Sequence, residues 1–220
     1  MKKTFLLSCL MLAAMPVMAA YTGHVYVDKN KNGVFDQSEK PLAGIKVSDG
    51  LNVVETAADG SFTLPGHERE RFIFITTPSG YKTFNRHYHK IEKKQSGYDF
   101  GLIPYSGRIR KDGSHRYIHI ADTEIFNTEN HADWVNNVHD YARNEQAAFI
   151  IHTGDLCYEK GLKAHIKLMN TENMDCPVFY CIGNHDLVKG KYGEELFESI
   201  YGPVYYSFDA GNVHYVVTPM

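Results

Sequence analysis

The chain has 220 residues, 43% of them hydrophobic and 22% charged, with a formal net charge of −3. Those proportions are ordinary for a soluble globular protein and leave room for one large domain or two small ones. No basic tract, internal repeat or low-complexity run stands out, which argues against nucleic acid as a partner.

The first 20 residues read differently from the rest. Lys2 and Lys3 precede an apolar run from Phe5 to Val17, closed by Ala19 and Ala20. That is the pattern of a secretory signal peptide (1–20), and the run is short for a membrane span. Its removal leaves 21 basic residues against 26 acidic ones, a formal charge of −5. No later segment is long and apolar enough to cross a membrane. The expected location is therefore outside the cytoplasm, in the periplasm. Three cysteines remain, Cys157, Cys176 and Cys181. The last two bracket one apparent strand, about 17 Å apart, too far to bond.

From 21 to 103 the grammar is strands and turns. "GHVYV", "GIKVSDG", "NVVETAADGSFTL", "RFIFITTP" and "YDFGL" are short, β-branched or aromatic, and separated by Gly, Asp, Asn and Pro. Ala58-Asp59-Gly60-Ser61 reads as a hairpin turn. The pattern predicts a small antiparallel all-β sandwich. Within it, "DKNKNGVFDQSE" fits the spacing of a calcium loop. Asp28, Asn30, Asn32, Asp36 and Glu39 would supply oxygens and Gly33 the sharp turn. The alternative is a solvated Asn/Gly turn between strands.

Residues 104–114 read as a linker. From 115 to 220 strands and helices alternate. "RYIHIAD", "AAFIIHTGD" and "PVFYCIGNHD" are strands. Trp134, Val138 and Tyr141 recur at helical spacing with Asn130 as N-cap. Leu162, His165, Ile166 and Met169 mark a second helix, and Leu196, Phe197, Ile200 and Tyr201 a third. "YYSFDAGNVHYVV" reads as a closing hairpin. Strand–helix–strand order predicts right-handed crossovers and a parallel sheet, so this part is α/β.

Each of these strands ends on a polar group with metal-binding capacity: Asp122, Asp155 and Asn184. In a parallel sheet those ends share one edge, where such folds bind ligands. Two carboxylates and an amide gathered there call for a cation.

"HIADTE", "HTGDLCY" and "CIGNHD" resemble the first three motifs of the calcineurin-like metallophosphoesterases, enzymes with an αββα core and two metal ions. The β module resembles the prealbumin-like and SdrD B-like modules that precede many secreted bacterial enzymes. The resemblance implies hydrolysis of a phosphate ester with Zn, Mn or Fe. It implies that Asp122 binds the first metal, Asp155 bridges both and Asn184 binds the second. His185 would be the acid or charge stabiliser, oriented by Asp186. The sequence departs from the family in three places. Glu124 stands where the first motif has histidine, and we read it as a loop acid near the substrate rather than a ligand. The second motif has Tyr158 as in purple acid phosphatases, where the tyrosine is a ligand; an aromatic lid is the alternative. The later Gly-His-x-His motif does not occur within the 220 residues, so the expectation is an incomplete fragment of the enzyme domain. The competing function is a non-catalytic secreted binder on a degenerate phosphoesterase scaffold. Monoesters, diesters, nucleotides and sugar phosphates all remain open as substrates.

Overall fold

A computed structural model of the protein describes residues 20–66, 69–84, 86–95, 97–106, 108–188 and 192–219. Most of the expected signal segment lies outside the described residues.

The first part is a sandwich of two sheets. Its strands in chain order are β1 (Ala20–Val27), β2 (Lys40–Pro41), β3 (Lys46–Ser48), β4 (Val53–Glu55), β5 (Ser61–Pro65), β6 (Phe72–Ile75), β7 (Tyr81–Thr83), β8 (Tyr88–Lys90) and β9 (Phe100–Pro104). One sheet runs β2-β1-β9-β7, with β5 also on β1; the other runs β4-β3-β6-β8. Alternation drives the pairing. Phe62 and Leu64 of β5 point inward while Thr63 points out. Val25, Val47, Ile73, Ile75, Phe100 and Leu102 close the space between the sheets.

Two expectations are corrected here. The sandwich is mixed, because β1 pairs in parallel with β9, Val25 opposite Phe100. The turn at 58–61 exists, with Gly60 at φ +77 and its N–H bonded to the Ala57 carbonyl at 2.9 Å. It does not make a hairpin, however: β4 pairs with β3 and β5 with β1. The turn carries the chain across the core from one sheet to the other.

The second part contains β10 (Tyr117–Ile120), α1 (Ala132–Asn144), β11 (Phe149–His152), α2 (Glu159–Leu168), β12 (Val178–Tyr180), α3 (Glu195–Tyr201), β13 (Tyr206–Ala210) and β14 (Val213–Val217). β10, β11 and β12 form a parallel sheet in that order, Ile118 opposite Ile150 and Ile150 opposite Val178. One face packs on α1 and α2 through Val135, Ala142, Ile150, Met169 and Val178. The buried stripe of α1 is Val135 and Ala142, not the expected aromatics: Trp134 and Tyr141 are exposed. The residue before α1 is His131 rather than Asn130, and it makes no side-chain cap.

The opposite face of the sheet is covered by the β13–β14 hairpin and by the sandwich. Phe149 and Phe179 pack with Phe208, Tyr206, Phe72, Phe74 and Tyr88 in one aromatic cluster. Phe179 and Phe208 stack with centroids 3.5 Å apart. Tyr206 also closes the edge of β12: its hydroxyl accepts the Tyr180 N–H at 2.8 Å and donates to the Tyr180 carbonyl at 2.9 Å. The two parts are further joined where the Thr77 carbonyl accepts the Asp209 N–H at 2.9 Å. The expected closing hairpin is formed by β13 and β14, with Tyr206 and Phe208 buried and Val213 and Val216 exposed. Among the described residues, no helix is long and apolar enough to cross a membrane. Cys157, Cys176 and Cys181 are all unpaired thiols.

Candidate metal centre

The loops leaving β10, β11 and β12 meet at one sheet edge because the strands are parallel and adjacent. The backbone carries the contact onward beyond the ladders. The Thr153 N–H donates to the Ile120 carbonyl, the Asp122 N–H to the Gly154 carbonyl at 3.1 Å, and the Cys181 N–H to the His152 carbonyl at 2.7 Å. Gly154 and Gly183 then lie face to face. A Cβ on Gly183 would stand 2.2 Å from Asp155 Oδ1, and one on Gly154 would stand 2.7 Å from the Gly183 Cα. Only glycine lets the second and third loops approach this closely. The loops that carry Asp122, Asp155 and Asn184 thereby meet at one edge of the sheet.

The backbone at the acidic positions is strained. Asp122, Glu124 and Asp155 take φ of +54°, +44° and +53°. A left-handed conformation at a non-glycine residue costs on the order of 1 kcal/mol or more, and such residues gather at functional sites.

Around these acids the polar partners divide into scaffold and site. His152 is scaffold. The Gly154 N–H donates to its Nδ1 at 3.3 Å, so Nε2 carries the proton and faces Thr123 Oγ1 at 2.9 Å. Thr123 in turn donates to the Leu156 carbonyl at 3.2 Å. Burial pushes the His152 pKa down to about 4, with His119 adding to the shift. It is therefore a neutral bridge between the first and second loops. His119 lies near the surface with Nε2 2.8 Å from Thr153 Oγ1. His214 is exposed beside Asp209.

Asp186 is also scaffold. It is fully buried, and its carboxylate accepts the N–H groups of Leu156 at 2.9 Å, Cys157 at 3.1 Å and Gly183 at 2.8 Å. Burial raises its pKa to about 6, against the lowering effect of those three donors. It pins the third loop to the second. Among the described residues, the contact that orients His185 comes from Glu124 instead. His185 Nδ1 lies 3.0 Å from Glu124 Oε1 and 3.9 Å from Asp155 Oδ2. The His185 N–H donates to Asp155 Oδ1 at 3.0 Å. The Tyr158 ring stacks on His185, centroids 4.7 Å apart at 22°. His185 is thus held between an aromatic ring and a carboxylate, with Nε2 left over. The Glu124–His185 pair spans 61 residues and had no signal in the sequence beyond the unusual acid in the first motif.

The donor chemistry fits a hard or borderline cation. Among the described residues the Asp122 carboxylate has no hydrogen-bond or ion-pair partner, and no lysine or arginine pairs with Asp155. The set is nevertheless lean. Among the described residues no three His, Cys, Asp or Glu side chains gather closely enough to hold a metal ion. Asp122, Asp155 and Asn184 supply two carboxylates and an amide, and Tyr158 turns its ring to His185.

The residues of the expected calcium loop form a hydrogen-bonded turn between β1 and β2 in the sandwich. Asp28 and Glu39 are buried. Asp28 accepts the N–H groups of Asn32 at 3.2 Å and Gly33 at 2.9 Å, and Glu39 those of Lys29 and Asp36. Asn30 and Asn32 donate their side-chain amides to Asp36.

A three-stranded parallel sheet carries Asp122, Asp155, Asn184 and His185 on the loops at one of its edges, the α/β arrangement in which such folds bind ligands. Comparison with protein families places it further. Residues 29–104 match the N-terminal part of calcineurin-like phosphoesterase, and residues 115–217 match calcineurin-like phosphoesterase itself. The chain belongs to the calcineurin-like metallophosphoesterase superfamily, a family of metal-dependent phosphoesterases. Comparison with curated proteins finds no match.

Proposed function

We propose that the protein is an exported, periplasmic phosphoesterase that hydrolyses phosphate mono- or diesters at a dinuclear centre built on Asp122, Asp155 and Asn184. The observation carrying this reading is the convergence of the three loop ends at one edge, with Asp122 lacking any partner among the described residues. Two ions such as Zn, Mn or Fe would supply Lewis-acid activation of water and charge neutralisation at the phosphoryl oxygens. The chain's own residues do the rest. Asp155 is tied to the His185 backbone, so metal-side and proton-side groups keep a constant spacing. Glu124 holds His185 Nδ1, which leaves Nε2 to give a proton to the leaving oxygen.

Asp155→Asn is expected to lower both metal content and hydrolysis of bis-p-nitrophenyl phosphate, the latter about 100-fold or more. His185→Ala should lose turnover while keeping metal. Wild-type rates in both variants would rule the assignment out. Tyr158 divides two roles. As a lid, its replacement by Phe leaves an iron-loaded protein's visible spectrum unchanged, and the stacking on His185 supports this; as a ligand, Tyr158→Phe abolishes a charge-transfer band.

The donor count supports a fragment. Each metal wants at least about four ligands, more than Asp122, Asp155, Asn184 and Tyr158 provide. A form extended through a Gly-His-x-His motif is expected to bind two metals tightly. The absence of an acidic or histidine trio among the described residues is also what a non-catalytic binder would show. Metal stoichiometry of the extended form separates the two.

In the sandwich we assign Asp28, Asn30, Asn32, Asp36 and Glu39 to calcium. Two buried carboxylates, with no cationic side-chain partner among the described residues, support it. Binding requires the Asn30 and Asn32 amides to turn their oxygens toward Asp36. Calcium at a hundredfold excess over its Kd should stabilise the fold by about 2.7 kcal/mol, read as a rise in Tm. Glu39→Gln should blunt that rise, and equal melting with calcium and with chelator would reject the site.

A further inference from the structure

A cleft of about 600 Å³ opens between the sandwich and the edge of β12, and none of the residues of the candidate metal centre lines it. Its size suits a small organic molecule. The sandwich side is basic: Lys31, Lys82 and Arg86 line the cleft, against a single acid, Glu172. Among the described residues none of the three cations pairs with a carboxylate. Two of them are held in position. Lys82 Nζ lies 5.3 Å from the centroid of the Tyr105 ring, and Arg86 Nη1 donates to the Tyr88 hydroxyl at 2.9 Å.

Thr77 and His87 also belong to the cleft wall, but Thr77 Oγ1 and His87 Nε2 are shut off from solvent behind it, without a partner among the described residues. Thr77 is 4% exposed, and its backbone is locked by the bond to Asp209. The His87 ring is fixed against Tyr206, centroids 4.5 Å apart. Burial pushes the His87 pKa down to about 4, with Arg86 adding to the shift. It is neutral at pH 7 and offers a hydrogen bond rather than a charge. The opposite wall is apolar, with Phe179 and Ile166 among its residues.

Unneutralised cations repel one another, and an anion in the cleft relieves that repulsion. The apolar wall asks that the anion carry a hydrophobic body. We propose that this cleft binds a small organic anion, with its charged end on Lys82 and Arg86 and its apolar body against Phe179 and Ile166. A phosphate and a carboxylate present the same chemistry to these groups. The proposal is independent of the phosphoesterase reading.

The test is calorimetric titration of chelator-treated protein, which removes metal-assisted binding at the other site. The probes are phenyl phosphate, benzoate, inorganic phosphate and phenol. Either or both of the aryl anions should bind, and the stronger of them identifies the head group. Inorganic phosphate and phenol should bind at least about tenfold more weakly than that anion, since each lacks one half of the recognition. Arg86→Gln should weaken the binding about tenfold and Arg86→Lys much less. Unchanged Tm values show that the fold is intact; a variant with a lowered Tm is replaced by Lys82→Met. The proposal is overturned if neither aryl anion binds, if inorganic phosphate or phenol binds as well as they do, or if Arg86→Gln and its replacement leave their binding unmoved.

Discussion

Gly183→Ala is expected to strip the metal centre and lower phosphoester hydrolysis by about 100-fold or more, the effect of misplacing a reacting group by about 1 Å. The reason is contact alone. Gly183 has φ −104°, which alanine adopts freely. Its new methyl, however, would lie 2.1 Å from the Asp155 backbone nitrogen and 2.2 Å from its Oδ1. Those are not flexible ends that swing away. Asp155 itself must move, and the hydrogen bond it accepts from the His185 backbone moves with it. Overpacking adds a stability cost of about 1–3 kcal/mol. Metal content by atomic emission and the rate on bis-p-nitrophenyl phosphate, both on the extended form, measure the result. Normal metal loading and a normal rate would mean that the second and third loops do not meet as described.

Arg71→Met is expected to destabilise the protein by about 3 kcal/mol, more than any other surface-reaching substitution considered. Arg71 stands just before β6 in the sandwich, and its partner Glu198 is on α3 of the second part. The contact is bidentate: Nε to Oε2 at 2.9 Å and Nη2 to Oε1 at 2.6 Å. Glu198 is 3% exposed, and Tyr192 donates a further bond to it at 2.8 Å. Removing the guanidinium leaves a buried carboxylate without its counter-charge, which is the costly half of breaking such a pair. The double variant Arg71→Met, Glu198→Leu should recover most of the loss, because no charge is then stranded. Denaturant melts of the single and double variants measure this. Equal stability of wild type and Arg71→Met would show that the pair does not hold the two parts together.

The general plan was legible because it rests on local chemistry. Short β-branched and aromatic runs between turn residues marked the sandwich, and apolar runs ending on Asp122, Asp155 and Asn184 marked the three parallel strands. What was not legible depended on partners far away in sequence. The turn at 58–61 is written in its residues, but whether β4 then pairs with β5 depends on β1 and β3, which compete for them and win. Trp134 and Tyr141 have helical spacing, yet the helix buries Val135 and Ala142, because that is the side which packs with Ile150 and Val178 of the sheet.

The candidate centre divides in the same way. Parallel strands of similar length must bring their ends to one edge, so Asp122, Asp155 and Asn184 could be gathered from sequence order alone. The role of each neighbouring side chain could not. Asp186 follows His185 directly, but a 3-10 turn over Asn184–Asp186 sends its carboxylate inward to three backbone N–H groups. Glu124, 61 residues earlier, meets the His185 ring instead. The order of strands and helices and the polar strand ends that share one sheet edge were readable from the chain alone. Only the tertiary structure decided which carboxylate orients the histidine, how the sandwich covers the second face of the sheet and where the basic cleft opens. Those depend on contacts between distant segments, and the energy of such a contact is set by packing geometry rather than by neighbours in the chain.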